Sequence, residues 1–367
     1  MQPSSSTPPA PVARRLRLGV LFGGRSGEHE VSLMSAESIL AALDHDRYEI
    51  VPIGIARDGR WLFGGDPLEL LRRGGPIPAG APLWPRPEDL AGLDVIFPVL
   101  HGTFGEDGTV QGFLDLTGIP YVGCGVLASA LAMDKAVSKQ LFAAIGLPLT
   151  PWLVVYRHEW ERQPGPILAR IEGQLDYPLF IKPANLGSSV GITKARDRAD
   201  LQAGLDEAAL YDRKMIVEQA VPHAREIEVS VLGNEEPVVS IPGEIVPSNE
   251  FYDYAAKYLD GASIERIPAP ITAEQTAQVQ DMALRAFCAV DASGLSRVDF
   301  LLDDESGRVY INELNTIPGF TSISMYPKLW EASGMPYGQL LDRLIELALE
   351  RHHQRSRNRT SYAPPRG

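Results

Sequence analysis

The feature that most constrains this 367-residue chain is the segment spanning residues 297–324. Two largely apolar runs, residues 296–302 and 308–314, flank the turn-forming sequence DDESG at 303–307. This pattern predicts a β-hairpin. Side chains two positions apart on a strand share one face, so pairing of the two strands would bring the polar residues of both onto the same face.

The polar residues on that face are suited to binding a cation. Arg297 lies two positions before Asp299, and Glu313 lies two positions before Asn315. Two acids and one amide offer oxygen ligands alone, and such an incomplete shell suits Mg²⁺, which accepts water and phosphates in its remaining positions. The guanidinium of Arg297 would stabilise developing negative charge beside the metal. The alternative is a solvated hairpin whose acids pair with this arginine.

The turn after the second strand favours a functional site over that alternative. Residues 316–322 contain Pro318-Gly319, and hydroxyl residues follow closely. Such a turn predicts a loop of backbone N–H groups that can receive a carboxylate or an oxyanion.

Composition excludes several classes of protein. A hydrophobic content of 44% indicates a globular chain, and a net charge of −13 makes a nucleic-acid partner unexpected. Cys124 and Cys288 show neither disulfide nor zinc spacing. Residues 1–15 lack the apolar core of a signal peptide and the length of a membrane span, so we expect a cytoplasmic protein without a membrane partner.

The length predicts two or three domains, because one hydrophobic core rarely serves so long a chain. We place an N-terminal α/β domain at 16–122, a central domain at 123–217 and a C-terminal domain at 218–350. A disordered tail is expected at 1–15, and a basic disordered tail with five arginines at 351–367.

In the first domain, the apolar run 16–22 precedes a glycine turn and a helical pattern that starts at Glu28. This order is typical of an opening βα unit that binds a ligand at the helix N-terminus, although the glycines are not spaced for a dinucleotide. Glu28 either caps this helix or binds a ligand. His101 follows the apolar strand 94–100, and it either orients a substrate or makes a structural hydrogen bond.

In the central region we predict one helix over residues 126–144, which carries Lys135. Lys182 ends the apolar strand YPLFIKP, where an ammonium group requires a partner. The next segment, NLGSSVG at 185–191, contains Ser188 and Ser189. It is either a mobile flap that closes over phosphates or a flexible surface hairpin.

In the third domain, Glu218 and Glu226 are expected at the mouth of an interdomain slot. The aromatic segment SNEFYDYAAKYL at 248–259 predicts a loop that covers the substrate. Amphipathic helices at 272–290 and 337–350 are assigned to packing.

Six segments, in this order along the chain, resemble the D-alanine:D-alanine ligases of the ATP-grasp superfamily. They are GGRSGEHEVS (23–32), HGTFGEDGTVQG (101–112), MDK (133–135), IKPANLGSSVG (181–191), FYDYAAKY (251–258) and NELNTIPGFTS (312–322). The resemblance implies an α/β chain, α+β in its ATP-binding half, with three-domain ATP-grasp architecture and a Rossmann-like N-terminal domain. It also implies a homodimer formed through the first domain.

By this resemblance, ATP lies between the second and third domains. The implied ATP-binding residues are Lys135, Lys182, Ser188, Ser189, Glu218, Gln219, Glu226 and Lys257. Gln219 stands where many family members have lysine, but the main chain makes the adenine contact there. Asp299, Glu313 and Asn315 would hold two Mg²⁺ ions, for which Mn²⁺ could substitute, and a requirement for a monovalent cation is left open.

The implied reaction joins two D-alanine molecules through a D-alanyl phosphate, for peptidoglycan precursor synthesis. Glu28 and His101 would bind the first D-alanine, whereas Lys257, Ser324 and the N–H of Met325 would hold the second. The oxyanion would meet Arg297 and the N–H of Gly319, and Ser188 and Tyr258 would link to Glu28.

Three alternatives stay open at this point. A ligase of the same fold could use D-lactate or D-serine as its second substrate, although Tyr258 favours an amine nucleophile. The chain could also be a nucleotide-binding regulator without turnover, or another ATP-dependent carboxylate–amine ligase.

Overall fold

The computed structural model describes residues 14–246, 263–359 and 361. The candidate residues Lys257 and Tyr258 lie outside the described residues. Within these ranges, no helix combines the length and the apolar character needed to cross a bilayer. The described strands form three sheets, each with helices packed against it.

In the first sheet, the first strand of the chain pairs in parallel with one neighbour on each side. Its strands are β1 (Leu16–Gly23), β2 (Tyr48–Ile55), β3 (Trp61–Phe63) and β4 (Val95–Val99), in the order β3-β2-β1-β4. Its helices are α1 (His29–Ala42), α2 (Pro67–Arg72), α3 (Pro87–Leu90) and α4 (Thr109–Thr117). Because β1 pairs in parallel with both β2 and β4, a crevice forms beyond the carboxyl ends of β1 and β4.

The second sheet is antiparallel and carries the serine-containing segment. Its strands are β5 (Trp152–Tyr156), β6 (Leu179–Pro183), β7 (Thr193–Ala195) and β8 (Lys214–Gln219), in the order β5-β8-β6-β7. Its helices are α7 (Arg157–Arg162), α8 (Pro164–Glu172) and α9 (Arg198–Tyr211). Residues 184–192 connect β6 to β7, and we call this connection the flap.

The third sheet contains the predicted hairpin at one edge. Its strands are β9 (Ala224–Gly233), β10 (Val238–Val239), β11 (Gly243–Val246), β12 (Ile264–Arg266), β13 (Gly294–Asp303) and β14 (Val309–Asn315). The order is β12-β11-β9-β13-β14, with β10 paired to β9. The later helices are α10 (Ala273–Ala289), α11 (Met325–Ala332) and α12 (Tyr337–Ser356). The predicted hairpin is confirmed by the antiparallel pairing of β13 with β14.

The prediction of one continuous helix over residues 126–144 is wrong. The segment forms α5 (Val126–Met133) and α6 (Lys135–Ala144), separated by the extended residue Asp134. The carboxylate of Asp134 accepts hydrogen bonds from the N–H groups of Ala136 and Val137 at 3.1 and 3.2 Å. Aspartate favours such an N-cap over a helix interior, because its side chain competes for backbone N–H groups.

These two helices also correct the predicted start of the central domain at residue 123. Ala128 of α5 and Phe142 of α6 belong to the hydrophobic core that contains Val298 and Phe300 of the third sheet. The separate core of the second sheet is drawn from residues 153–217. Chain order alone misplaced this boundary, because α5 and α6 precede the second sheet in sequence but pack against the third.

The prediction that a disordered tail begins at residue 351 is wrong for residues 351–356. Helix α12 continues to Ser356. The Arg351 guanidinium lies 4.3 Å from the centroid of the Tyr121 ring, and Arg355 pairs with Asp115 through two hydrogen bonds of 2.5 and 3.0 Å. These arginines hold the last turns of the helix against the first domain.

Candidate functional site

Two neighbouring cavities lie where the three sheets meet. The first, of about 630 Å³, is lined by residues of all three units, among them Glu28, Ser188 and Gly319. The second, of about 550 Å³, lies between the second and third sheets. Lys135, Arg297 and Glu313 line both cavities. Charged groups at this junction can therefore contact a ligand in the first cavity and a ligand in the second at the same time.

The hairpin places its charged residues at the junction. Arg297 lies opposite Asn315, and Asp299 lies opposite Glu313. The guanidinium donates to both carboxylate oxygens of Asp299 at 2.7 Å, and the Asn315 amide donates to Asp299 at 2.9 Å. The predicted convergence of these four side chains is confirmed, whereas their part in metal binding stays a prediction.

Arg297 is held by more than one carboxylate. Its Nε lies 3.2 Å from Oε2 of Glu228 on β9, and its side chain is 17% exposed. Burial by itself lowers the pKa of Arg297, but the carboxylates of Asp299 and Glu228 outweigh it and raise the pKa further above its ordinary value. The arginine is thus a permanent, fixed positive charge.

The donor set of the hairpin suits a cation that phosphates help to coordinate. Asp299 on β13 and Glu313 on β14 lie opposite each other and supply carboxylate oxygens, and Asn315 supplies an amide. Among residues 14–246 and 263–359, no three His, Cys, Asp or Glu side chains cluster as a self-sufficient metal site. Two acids and one amide fit Mg²⁺ shared with a phosphate ligand, not a cation enclosed by protein alone.

Lys182 and Glu218 form a buried ion pair on the wall of the second cavity. The Lys182 ammonium lies 2.7 Å from Oε2 of Glu218, so the partner that the sequence demanded for this lysine is present. Lys139 of α6 lies 2.9 Å from Oε1 of the same glutamate. Burial by itself raises the pKa of Glu218, but the two ammonium groups outweigh it and lower the pKa to about 2. Glu218 is therefore ionised.

Sequence reasoning missed Lys139. The available signal was its position one helical turn after Lys135, on the same face of α6. Its burial and its contact with Glu218, 79 positions further along the chain, became visible only in the fold.

Lys135 connects the flap to the hairpin. Its ammonium donates to the carbonyl of Leu186 at 2.7 Å and lies 3.6 Å from Oε2 of Glu313. As the first residue of α6, it follows the Asp134 cap. A group placed between the flap and the acids can bind an anion that enters there.

Glu28 is a buried residue whose carboxylate lines the first cavity. It makes no side-chain capping bond to α1, so the capping alternative is wrong. The Ser188 hydroxyl donates to Oε1 of Glu28, which confirms the predicted link between flap and first domain. A Cβ added at Gly102 or Gly187 would lie 2.3 or 2.8 Å from Oε2 of Glu28. Both glycines thus make room for this carboxylate.

The flap crosses the site with an unusual backbone. Ser188 and Ser189 have φ values of 49° and 59°, in the left-handed region that residues with a Cβ adopt at a cost. The start of the flap is held by Asn185, whose backbone and side-chain amides donate to Asp212 at 2.9 and 3.0 Å. From this anchored base the flap presents Ser188 to the first cavity and Ser189 to both cavities.

His101 occupies a structural position. Its Nδ1 lies 3.0 Å from the carbonyl of Ile317, and its Nε2 lies 3.0 Å from the hydroxyl of Ser35. Burial lowers the pKa of His101, so the ring is neutral, with Nδ1 as donor and Nε2 as acceptor. Both nitrogens are engaged within the protein, which favours the structural alternative over direct substrate contact.

Glu106 is a second carboxylate that the sequence reasoning missed. It lines the first cavity and accepts a hydrogen bond from the N–H of Gly102 at 2.6 Å. Burial, and then the nearby charge of Glu28, raise the pKa of Glu106 to about 8. The motif HGTFGEDG contains this residue, but sequence alone did not separate it from the neighbouring Asp107.

The turn after β14 forms the remaining wall. The hydroxyl of Ser324 accepts a bond from the N–H of Thr321 at 3.1 Å, and Phe320 donates to Ser35 at 3.3 Å. The predicted row of available N–H groups is therefore wrong for Thr321 and Phe320. In the described part of the chain, we find no partner for the N–H of Gly319 or of Met325, the first residue of α11. These two donors remain at the cavity wall.

Most of the predicted nucleotide residues fall on one surface. Six of them, Lys135, Lys182, Ser189, Glu218, Gln219 and Glu226, line the second cavity, together with Asp299 of the predicted metal site. Ser188 lines the first cavity instead. The side-chain oxygen of Gln219 accepts a bond from the N–H of Asp176 at 3.2 Å. The structure thus places these six predicted residues around one cavity, whereas their part in nucleotide binding stays a prediction.

Comparison with known proteins places these features in a family. The family models described as D-ala D-ala ligase N-terminus and C-terminus match residues 17–124 and 141–346. A D-alanine--D-alanine ligase of Heliobacterium modesticaldum is 56% identical, and the match covers 95% of this chain and 98% of that protein. One of Natranaerobius thermophilus is 52% identical, with 95% and 99% covered.

Solved structures show the same likeness. The VanG D-Ala:D-Ser ligase of Enterococcus faecalis matches with a TM-score of 0.79 and 37% identity, over 91% of this chain and 100% of that one. The D-alanine-D-alanine ligase of Coxiella burnetii matches with a TM-score of 0.77 and 36% identity, over 94% and 97%. These matches confirm the predicted α/β ATP-grasp fold. The chain belongs to the D-alanine–D-alanine ligase family.

Proposed function

We propose that this protein joins two D-alanine molecules into D-alanyl-D-alanine while ATP is converted to ADP and phosphate. The observation that carries the proposal is the junction of the two cavities at Lys135, Arg297 and Glu313. One cavity holds a buried carboxylate suited to an amino acid's ammonium group, and the other is lined by groups suited to a nucleotide. Relatives that are 50% identical or more carry the name of this ligase.

The first step activates a carboxylate that is otherwise inert to amines. A carboxylate oxygen of the first D-alanine attacks the γ-phosphorus of ATP, the bond to the bridging oxygen breaks, and ADP leaves with that bond's electron pair. Lys135 and Lys182 stabilise the charge on the phosphates. Asp299, Glu313 and Asn315 would hold two Mg²⁺ ions, which supply further charge neutralisation when bound.

In the second step, the neutral amine of the second D-alanine attacks the acyl carbon of D-alanyl phosphate. The tetrahedral intermediate collapses, the bond between carbon and phosphate oxygen breaks, and phosphate leaves with that bond's electron pair and takes up the proton that the amine loses. The guanidinium of Arg297 and the N–H of Gly319 receive the oxyanion. We assign the N–H of Met325 and the hydroxyl of Ser324 to the carboxylate of the second D-alanine, together with Lys257.

Glu28 and the flap position the first D-alanine. The Glu28 carboxylate accepts hydrogen bonds from the substrate ammonium, and Ser188 fixes that carboxylate from the flap. The flap also excludes water, which would otherwise hydrolyse the acyl phosphate. We keep Tyr258 as a second link to Glu28.

The reaction is tested by measuring phosphate release with ATP, Mg²⁺ and D-alanine, with L-alanine as the stereochemical control. Products are identified by mass. Release of phosphate with formation of the dipeptide from D-alanine alone is the expected result. Release without dipeptide would overturn the proposed acceptor, and equal activity with L-alanine would overturn the substrate assignment.

A second candidate is a ligase that uses D-serine or D-lactate as acceptor. The structural likeness to the D-Ala:D-Ser ligase of Enterococcus faecalis favours testing it. Competition of each acceptor against D-alanine, across a range of pH, separates the two candidates. An amine acceptor must lose a proton, so dipeptide formation should strengthen as the pH rises, relative to formation of the ester with D-lactate.

We also propose a cytoplasmic homodimer formed through the first domain. Support for a partner surface on the first domain comes from the exposed apolar side chain of Leu116 on α4, which is 90% exposed. Light scattering after gel filtration tests the assembly, and a monomer at micromolar concentration would contradict it. Cell fractionation tests the location.

A further inference from the structure

Three charged side chains meet at the wall of the second cavity. Lys139 and Lys182 lie 2.9 and 2.7 Å from the two oxygens of Glu218. Lys182 and Glu218 line the cavity, whereas Lys139 lies behind them with a side chain that is 2% exposed. The reaction proposed above gives no part to Lys139.

Burial lowers the pKa of Lys139, and the carboxylate of Glu218 opposes that shift. With Lys139 protonated, the cluster contains one cation more than its carboxylate needs. A pair of Lys182 and Glu218 alone would be neutral, and it would hold the ammonium of Lys182 in place. If Lys182 then moved toward a phosphate, it would leave a buried carboxylate without a partner, which is costly. Lys139 removes that cost, because Glu218 keeps one ammonium group whatever Lys182 does.

The surroundings of Lys182 are consistent with a lysine shared between partners. Glu313 on β14 and Glu226 on β9 also act on it electrostatically, in addition to Glu218. Its side chain is 12% exposed, against 4% for Glu218. Lys182 is thus the member of the cluster with access to the cavity, and Lys139 is the member without it.

We propose that Lys139 is a positioning residue that keeps Glu218 paired and so releases Lys182 to bind the phosphates of the nucleotide. The inference rests on the proposed function, because it requires a nucleotide in the second cavity. Helix α6 then has two tasks one turn apart. Lys135 faces the phosphate side, and Lys139 supplies the fixed counter-charge.

The test compares the parent with Lys139→Met, which keeps the length of the side chain and removes its charge. Affinities for ADP and for adenosine are measured by displacement of a fluorescent nucleotide. We expect ADP to bind about tenfold or more weakly, because a charge-assisted contact is weakened, whereas adenosine binds as before. The KM for ATP should rise accordingly, with a smaller change in kcat.

A double variant, Lys139→Met with Glu218→Gln, distinguishes this role from a structural one. Once its carboxylate is neutral, Glu218 no longer holds Lys182 away from the phosphates, so the ratio of ADP to adenosine affinity should return to the parent's value. Thermal unfolding checks the fold of both variants. If the single variant does not fold, the ratio in the double variant still tests the proposal.

Equal losses for ADP and adenosine in Lys139→Met, or a double variant whose losses simply add, would overturn the inference. In either case a parent that forms the dipeptide leaves the proposed function intact. A parent that neither binds ADP nor forms the dipeptide would overturn the proposed function, and this inference with it.

Discussion

Replacing Arg297 with lysine tests the charged hairpin directly. The guanidinium donates to both oxygens of Asp299 at 2.7 Å and lies 3.2 Å from a carboxylate oxygen of Glu228. Lysine keeps the positive charge, so neither carboxylate is left without a cation. Its ammonium cannot, however, make the planar two-point contact and also reach a developing oxyanion.

The expected loss is larger in turnover than in stability. Losing one hydrogen bond between charged partners lowers the free energy of unfolding by about 1.5–3 kcal/mol. Losing one donor to a transition-state oxyanion lowers kcat by about 10²–10³-fold. Arg297→Ala is the weaker test, because leaving two buried carboxylates unpaired lowers the free energy of unfolding by about 3–5 kcal/mol. A loss of activity in that variant could then come from unfolding and not from the missing donor.

The assay is dipeptide formation at saturating ATP and D-alanine, with urea unfolding of the same preparations. Arg225→Lys is the matched control. Arg225 lies on the neighbouring strand β9, and its Nε donates to the buried Glu244 at 2.6 Å. We expect the control to lose stability but to keep its turnover. A turnover of Arg297→Lys within about threefold of the parent's, or an equal loss in Arg225→Lys, would refute the assigned role.

Three further predictions concern other parts of the site. Gly102→Ala should lower turnover, because the new Cβ would displace the Glu28 carboxylate. The control is Gly118→Ala, which is also at positive φ but has open space around its Cβ, so it should lose stability alone. Equal turnover in the two variants would contradict this prediction. Glu106→Gln should flatten the pH dependence of urea unfolding in the ligand-free protein. The pKa of Glu106 rises on folding from 4.5 to about 8, so its contribution to stability falls by up to about 1.4 kcal/mol per pH unit as the pH rises through that window; an unchanged slope refutes it. Tyr258→Phe should leave ATP affinity unchanged but weaken the preference for D-alanine over D-lactate in a competition assay, and an unaltered preference would remove Tyr258 from acceptor selection.

Local patterns in the sequence were sufficient for much of the fold. The hairpin followed from two strand-like runs around DDESG, and period-two spacing correctly put Arg297 and Asp299 on one face. The opening strand, glycine turn and helix also formed as expected. These features depend on neighbours within a few residues, which a sequence displays directly. The break at Asp134 is a local signal that was available and was outweighed by the apolar pattern on each side of it.

Contacts between distant parts of the chain decided the rest. The sequence does not reveal that Lys139 pairs with Glu218, that both nitrogens of His101 are already bonded, or that Arg351 packs on Tyr121. The charge state of Glu106 likewise depends on burial and on the neighbouring Glu28. The types of the reactive residues and their order were determined by the sequence. Their partners and protonation were decided by the tertiary structure, because desolvation and Coulomb interactions act through space between residues that are far apart in the chain.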